Sequence, residues 1–193
     1  MVHRPQNRPQ QVRQHQVRII GGQWKRTALT VASVEGLRPT PDRVRETLFN
    51  WLGQSLDGQV CGDAFAGSGA LGFEAASRGA SCVYMNELSL TAMKHLQATQ
   101  TKLNAMQTEL SQLDAIQWMQ RLAQRGVQLD GLLLDPPFAA DWLSRIEPYV
   151  EAILRPTAWV YVESERSLAT WLDRPLYRSG RAGQVHYHLF MKS

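Results

Sequence analysis

Asp63-Ala64-Phe65-Ala66-Gly67-Ser68-Gly69-Ala70-Leu71-Gly72 is the stretch that decides the fold. A β-prone segment precedes it and a helical pattern follows. Gly67, Gly69 and Gly72 have the GxGxxG spacing of a strand–turn–helix nucleotide loop, and Glu87 ends the next strand where a ribose-binding acid belongs. The loop predicts a cofactor that contains a nucleoside, and Asp63 narrows the choice. A carboxylate at the loop's mouth repels a pyrophosphate, which otherwise uses the positive end of the helix. The same carboxylate suits an ammonium and a sulfonium, so S-adenosylmethionine fits and a nicotinamide dinucleotide does not. The alternative is that Asp63 only caps its own loop. Glu87, when ionised, offers two acceptor oxygens to ribose hydroxyls, or is simply an exposed acid near a helix start. Asp114 closes the third strand, where it either accepts from an adenine amino group or caps the helix behind it.

Outward from the loop the pattern alternates. Strands are predicted at 59–64, 81–86, 107–113, 130–135 and 157–163, with helices near 69–78, 89–103, 115–125 and 141–154. Gly131-Leu132-Leu133-Leu134 is apolar without alternation, as a strand covered on both faces should be. This order predicts an α/β fold with a mostly parallel sheet and right-handed crossovers. Leu176-Tyr177-Arg178 and Val185–Phe190 flank a turn expected over 179–183, an antiparallel C-terminal hairpin on the sheet's edge. Upstream, β-prone runs on either side of Gly21-Gly22 predict a small hairpin or extended arm. Thr40 and Pro41 suit the N-cap and first position of a helix that ends at Gly53, with Arg38, Arg43 and Arg45 at its start and on its outward side. Residues 1–17 have few apolar anchors and read as a basic disordered tail. Residues 18–57 read as a short basic N-terminal arm and capping helix, and 58–193 as the cofactor-binding domain.

Asp135-Pro136-Pro137-Phe138 follows the fourth predicted strand, at the edge where open α/β sheets bind ligands. Two prolines fix the turn and remove two donors. Asp135 and the Pro136 carbonyl then make a pair of acceptors beside the flat face of Phe138. That set suits an exocyclic amine on a planar base, whose nitrogen lone pair is delocalised and must be aimed at a methyl donor. Phe138 can stack on the extruded base. These four are the candidate catalytic residues. The alternative is a plain turn with a buried Phe.

The chain has 193 residues and a formal net charge of +4. The charge is unevenly placed: residues 1–50 carry +6 and residues 51–193 carry −2. One end is therefore shaped to meet a polyanion. Arg18, Trp24, Lys25, Arg26, Arg38, Arg43 and Arg45 combine phosphate-binding charge with one stacking surface, and are the candidate nucleic-acid contacts. Two cysteines, Cys61 and Cys82, cannot build a disulfide framework and fit a reducing interior, the cytoplasm. His186 and His188 have no metal-ligand partner spaced near them, so no metal is expected. No apolar run reaches the length of a membrane span. A monomer is expected.

Asp-x-Phe-x-Gly-x-Gly ahead of Asp-Pro-Pro-Phe is the motif order of class I amino-methyltransferases, which have a Rossmann-like fold. Three further stretches narrow the likeness: Arg18-Ile19-Ile20-Gly21-Gly22-Gln23-Trp24, Leu37 to Leu52 with its Arg38-Pro39-Thr40-Pro41-Asp42-Arg43, and Tyr161-Val162-Glu163-Ser164-Glu165. From about Gln16 onward the chain resembles the RsmD family of bacterial 16S rRNA guanine-N2 methyltransferases. The resemblance implies S-adenosylmethionine as cofactor, with Asp63, Phe65, Gly67, Gly69, Glu87 and Asp114 around it. It implies a guanine of small-subunit rRNA as substrate, partly or fully assembled into the subunit. Two local departures stand out: Gly62 interrupts the first strand, and Asn86 replaces a more usual apolar residue before Glu87. Competing readings are an adenine-N6 or cytosine-N4 amino-methyltransferase and a non-catalytic RNA-binding assembly protein.

Overall fold

The computed structural model describes residues 17–29, 40–138 and 141–192. Residues 1–16 of the expected tail, Arg38, and Thr30 and Val31 of the arm's second run lie outside the described residues, whereas Val17, taken as the tail's last residue, is buried and begins the first strand because its apolar side chain packs on the core. A short antiparallel pair, β1 (Val17–Arg18) and β2 (Ala28–Leu29), comes first, followed by α1 (Asp42–Trp51). The glycine-loop unit is β3 (Val60–Asp63), α2 (Ala70–Ser77) and β4 (Cys82–Asn86). Then come α3 (Leu90–Leu103), β5 (Thr108–Ser111), α4 (Ala115–Gln124), β6 (Leu129–Leu134) and α5 (Trp142–Val150). The chain closes with β7 (Leu154–Ser164), β8 (Thr170–Trp171), β9 (Arg174–Ala182) and β10 (Val185–Met191).

Eight strands form one sheet in the order β5-β4-β3-β6-β7-β10-β9-β8. The first five pair in parallel and the last three add antiparallel on β7. This is the Rossmann-like architecture of class I methyltransferases with an antiparallel C-terminal end. Both faces of the central strands are covered. Leu133 and Tyr161 join Phe73 and Leu189 in one core cluster, while Leu132, Leu134 and Val160 join Trp118 and Ile146 in another. The chain builds outward from β3 through β4 to β5, then returns to place β6 on β3's other side, so a crevice opens at the strand ends where Asp63 and Asp135 lie.

Several local expectations change. Pro41, not Thr40, is the N-cap of α1; its carbonyl accepts from Val44 and Arg45 while Thr40 turns its side chain inward. The last parallel strand begins at Leu154, because α5 stops at Val150 and a single 3-10 turn, Glu151–Ile153, leads straight into it. The hairpin turn sits at Gly183-Gln184 rather than across 179–183, with Gly183 at φ +63°. Gly180 belongs to β9 and is small because the Tyr187 ring crosses it; a Cβ there would lie 2.3 Å from the ring. Gly62 has a packing reason as well, since a Cβ would meet Leu129, Leu132 and Trp118 within 3.1 Å. Asn86 is fully employed: its amide donates to the Ala64 and Leu113 carbonyls and its oxygen accepts from Leu113, tying the ends of three strands together.

Candidate active site

Asp63 is buried at the end of β3. One oxygen, Oδ2, accepts from the Gly72 amide at 3.0 Å, in the first turn of α2; the other, Oδ1, has no hydrogen-bond partner among the described residues. Burial pushes its carboxyl up to about 7, with the Gly72 amide offsetting part of the rise and the Glu87 charge adding to it. Gly69, at φ +78°, ends the turn as the N-cap of α2, where a side chain would also strike Phe73 at 2.5 Å. Glu87 straddles the loop's entrance: Oε2 accepts from Gly67 at 2.8 Å and Oε1 from Ser89 at 2.7 Å. Each oxygen keeps a second lone pair for a ligand. Asp114 is the N-cap of α4, with Oδ1 accepting from Ile116 at 2.9 Å.

The second half of the site is the Asp135-Pro136-Pro137-Phe138 turn after β6. Asp135 Oδ2 accepts from the Thr40 hydroxyl at 3.1 Å. The same hydroxyl lies 2.9 Å from Oε1 of Glu163, which also accepts from the Tyr161 hydroxyl at 2.8 Å. Pro136 is buried, whereas the Phe138 ring is 38% exposed at the rim. Phe65 is fixed edge-on against Trp142 of α5, ring centroids 5.4 Å apart.

Both halves open into one cavity of about 410 Å³. Phe65, Gly67, Glu87 and Asp114 line it together with Asp135 to Phe138; Asp63 and Gly69 are not among its lining residues. Four carboxylates face this space, those of Glu87, Asp114, Asp135 and Glu163, and no Lys, Arg or His lines it among the described residues. Such a lining selects for cationic and amine-bearing ligands and against phosphates. Thr40, Trp142, Glu163 and Val185 line the cavity although none was predicted as a site residue; Thr40 and Glu163 stand in stretches that marked only the family likeness.

The family described as Conserved hypothetical protein 95 matches residues 17–191. Ribosomal RNA small subunit methyltransferase D of Escherichia coli (strain K12) is 40% identical over 185 residues, 92% of this chain and 90% of its own length. The protein of the same name from Haemophilus influenzae is 39% identical, covering 91% and 93%. A solved structure described as the putative methyltransferase yhhF from Escherichia coli superposes with a TM-score of 0.80 at 40% identity, over 92% of this chain and 98% of that one. The chain belongs to the RsmD family.

The basic arm of this RsmD-family chain is anchored to α2. Glu74 is fully buried and accepts from the Ile20 and Gly21 amides, each at 2.7 Å, and from Arg78 Nε at 2.8 Å. Ser77 adds bonds to the Trp24 amide and the Gly21 carbonyl. Arg18, Lys25, Arg26 and Arg43 are exposed, and Trp24 is half-buried against the core. Arg45 departs from expectation. It is 0% exposed, and its Nη2 donates to the Arg18 carbonyl and Asp42 while Nη1 lies 3.6 Å from Glu74. A guanidinium enclosed this way holds the arm to α1 and presents no face to a phosphate. Cys61 is buried in β3, where burial pushes its thiol up to about 12. His188 is a sheet residue whose Nε2 accepts from the Leu168 amide at 3.0 Å. No helix among the described residues is long and apolar enough to cross a membrane, and no group of three or more potential metal ligands occurs among them.

Proposed function

We propose that this chain transfers a methyl group from S-adenosylmethionine to the exocyclic N2 amine of a guanine in 16S rRNA of the small ribosomal subunit. One observation carries the reading: a single cavity joins the glycine loop to the Asp-Pro-Pro-Phe turn, and carboxylates line it without a facing cation among the described residues. Asp63 fits the cofactor's ammonium, because a buried carboxylate oxygen lacking a partner is costly unless a ligand supplies a donor. Glu87 would take the ribose hydroxyls on its free lone pairs, and Asp114 the adenine amino group. Phe65 and Leu113 would supply apolar walls.

When bound, S-adenosylmethionine supplies an electrophilic methyl on a sulfonium. The chain's task is to make a poor nucleophile attack it. Asp135 and the Pro136 carbonyl accept the two N2–H bonds, which favours pyramidal nitrogen and directs its lone pair. As the N–CH₃ bond forms and the S–CH₃ bond breaks, its electron pair staying on sulfur as a neutral thioether, positive charge develops on N2, and Asp135 would stabilise it and take one proton. Phe138 stacks on the base once it leaves the RNA fold. Arg18, Lys25, Arg26 and Arg43, with Trp24 and Arg38, grip phosphates beside the cleft, and the tail over residues 1–16 adds charge to the same grip. The body acts as a monomer in the cytoplasm.

The test offers labelled S-adenosylmethionine with assembled small subunits, naked 16S rRNA and duplex DNA, then identifies the modified nucleoside. N2-methylguanosine from rRNA or subunits is the expected product. N6-methyladenine or N4-methylcytosine would overturn the guanine assignment, and label in none of the three would overturn the activity.

A further inference from the structure

Two carboxylates from distant parts of the chain meet on one hydroxyl. Thr40 Oγ1 lies 3.1 Å from Asp135 Oδ2 and 2.9 Å from Glu163 Oε1. A threonine hydroxyl carries one hydrogen and two lone pairs, so it donates to one of these acids and turns lone pairs toward the other. If both acids were ionised, that second contact would be repulsive, in a site where low dielectric strengthens every charge. A single proton on the pair converts it into a second hydrogen bond. The surroundings favour that proton. Burial raises Asp135 well above the ordinary carboxylate range, with the Glu163 and Asp63 charges adding to the rise and the Thr40 bond offsetting part of it. Burial raises Glu163 too, against the hydroxyls of Tyr161 and Thr40. The titratable groups facing the pair are Asp63 from β3, Tyr161 from β7 and, behind Tyr161, Tyr187 from β10. Neither acid has an ion-pair partner among the described residues.

We propose that Asp135 and Glu163 work as one proton-sharing pair, with Thr40 as the bridge and Tyr161 as the group that holds Glu163 in place. The inference rests on the reading of Asp135 as acceptor for the substrate amine, and it gives work to Thr40 and Glu163. The bonded chain can run in two directions. With the proton on Asp135, Asp135 donates to Thr40, Thr40 donates to Glu163, and Asp135 is a neutral acid, a weaker acceptor for an N–H and unable to take a proton from it. With the proton on Glu163, Glu163 donates to Thr40, Thr40 donates to Asp135, and Asp135 is an ionised acceptor. Two hydrogens shift along bonds already present, no heavy atom moves, and no proton passes to solvent. An incoming amine brings N–H donors to Asp135 and so selects the second direction. Glu163 then stores the first proton while Asp135 receives the one released by N2. Glu163 and Thr40 are thus positioning residues that set the charge of Asp135.

The pH profile of kcat/KM for methyl transfer tests the pair, because its acid limb reports the free enzyme's essential base. Glu163→Gln removes a negative charge next to Asp135 and should move the acid limb to lower pH by about one unit. Thr40→Val removes the bond that lowers Asp135 and should move the limb to higher pH; Thr40→Ser should restore the native profile. A purely structural role would lower activity at every pH and leave the limb in place. Unmoved limbs in Glu163→Gln and Thr40→Val, or a failure of serine to restore what valine shifts, overturns the proposal. If Glu163→Gln does not fold, the Thr40 pair decides alone. Asp135→Ala, which removes both acceptor oxygens, separates the two readings: retained turnover refutes Asp135 as acceptor, while lost turnover with unmoved limbs in the Glu163 and Thr40 variants refutes only the pair.

Discussion

Asp63→Asn should make the protein more stable and a worse cofactor binder, and both effects follow from one buried carboxylate. The side chain is 1% exposed, and its acid is pushed from 3.8 to about 7. That difference corresponds to about 4 kcal/mol of preference for the neutral form in the folded chain. The sign follows from linkage. Between about pH 4 and 7 the folded state holds a proton that the unfolded state has released, so stability falls as pH rises through this window and the loss is complete above about 7. An asparagine keeps an oxygen for the Gly72 amide and removes the charge. Urea unfolding without cofactor should therefore show a pH-dependent loss in the native protein between pH 5 and 8, and a flatter profile for Asp63→Asn, more stable by about 2–4 kcal/mol at pH 8. Calorimetry at pH 8 should show S-adenosylmethionine binding weakened by at least about tenfold, equivalent to about 1.4 kcal/mol. Equal destabilisation of the variant at both pH values would refute the idea that this charge is strained by burial. Unchanged affinity would refute its contact with the ammonium.

Two further predictions concern the arm. Glu74→Gln leaves the buried Arg45 and Arg78 without their shared anion and should destabilise the chain by about 3–5 kcal/mol in urea, since breaking one partner of a buried pair strands the other; a cost below about 1 kcal/mol would show that the arm is held elsewhere. The triple change of Lys25, Arg26 and Arg43 to alanine should reduce the slope of log K against log salt for rRNA binding by about 3, while Arg45→Ala should lower stability instead of that slope; a reversed pattern would return Arg45 to the RNA face.

The parallel sheet and the glycine loop were legible because their signals are local. A continuous apolar run, a glycine spacing and an acid at the next strand's end each occupy a few neighbouring positions. Ser89 and Asp114 cap helices where their residue types say they should. Thr40 was misread for the same reason. Thr-Pro ahead of a helical pattern is a strong local cap signal, but two carboxylates 95 and 123 positions away compete for the same hydroxyl. In a buried site those contacts outweigh one capping bond, whose carbonyl role Pro41 fills. Arg45 shows the same conflict. Helical spacing near other arginines places it outward, yet Glu74, which no local pattern links to it, draws it under the arm. Ser179-Gly180 reads as a turn because those residue types favour turns, whereas Gly180 is small to admit Tyr187. Thr40 and Arg45 had their decisive partners in distant parts of the chain, and Gly180 on the facing strand of its own hairpin.

Those partners also explain why charge is divided along the chain as it is. α2 is only eight residues long and buried throughout, yet it carries both attachments. Asp63 bonds the Gly72 amide in its first turn, at the cofactor end, and Glu74 in the same helix accepts the arm's backbone. α1 is held from two sides as well. Thr40 ties its entrance to Asp135 and Glu163, and Arg45 ties its second turn to Arg18 and to the neighbourhood of Glu74. The exposed cation Arg43 stands between those two fastenings. On the proposed reading of Arg43 as a phosphate contact, three positions along the chain separate that contact from Thr40 and the acid pair it bridges. Cations on the arm and acids in the cleft are separate in sequence but joined by the same two helices.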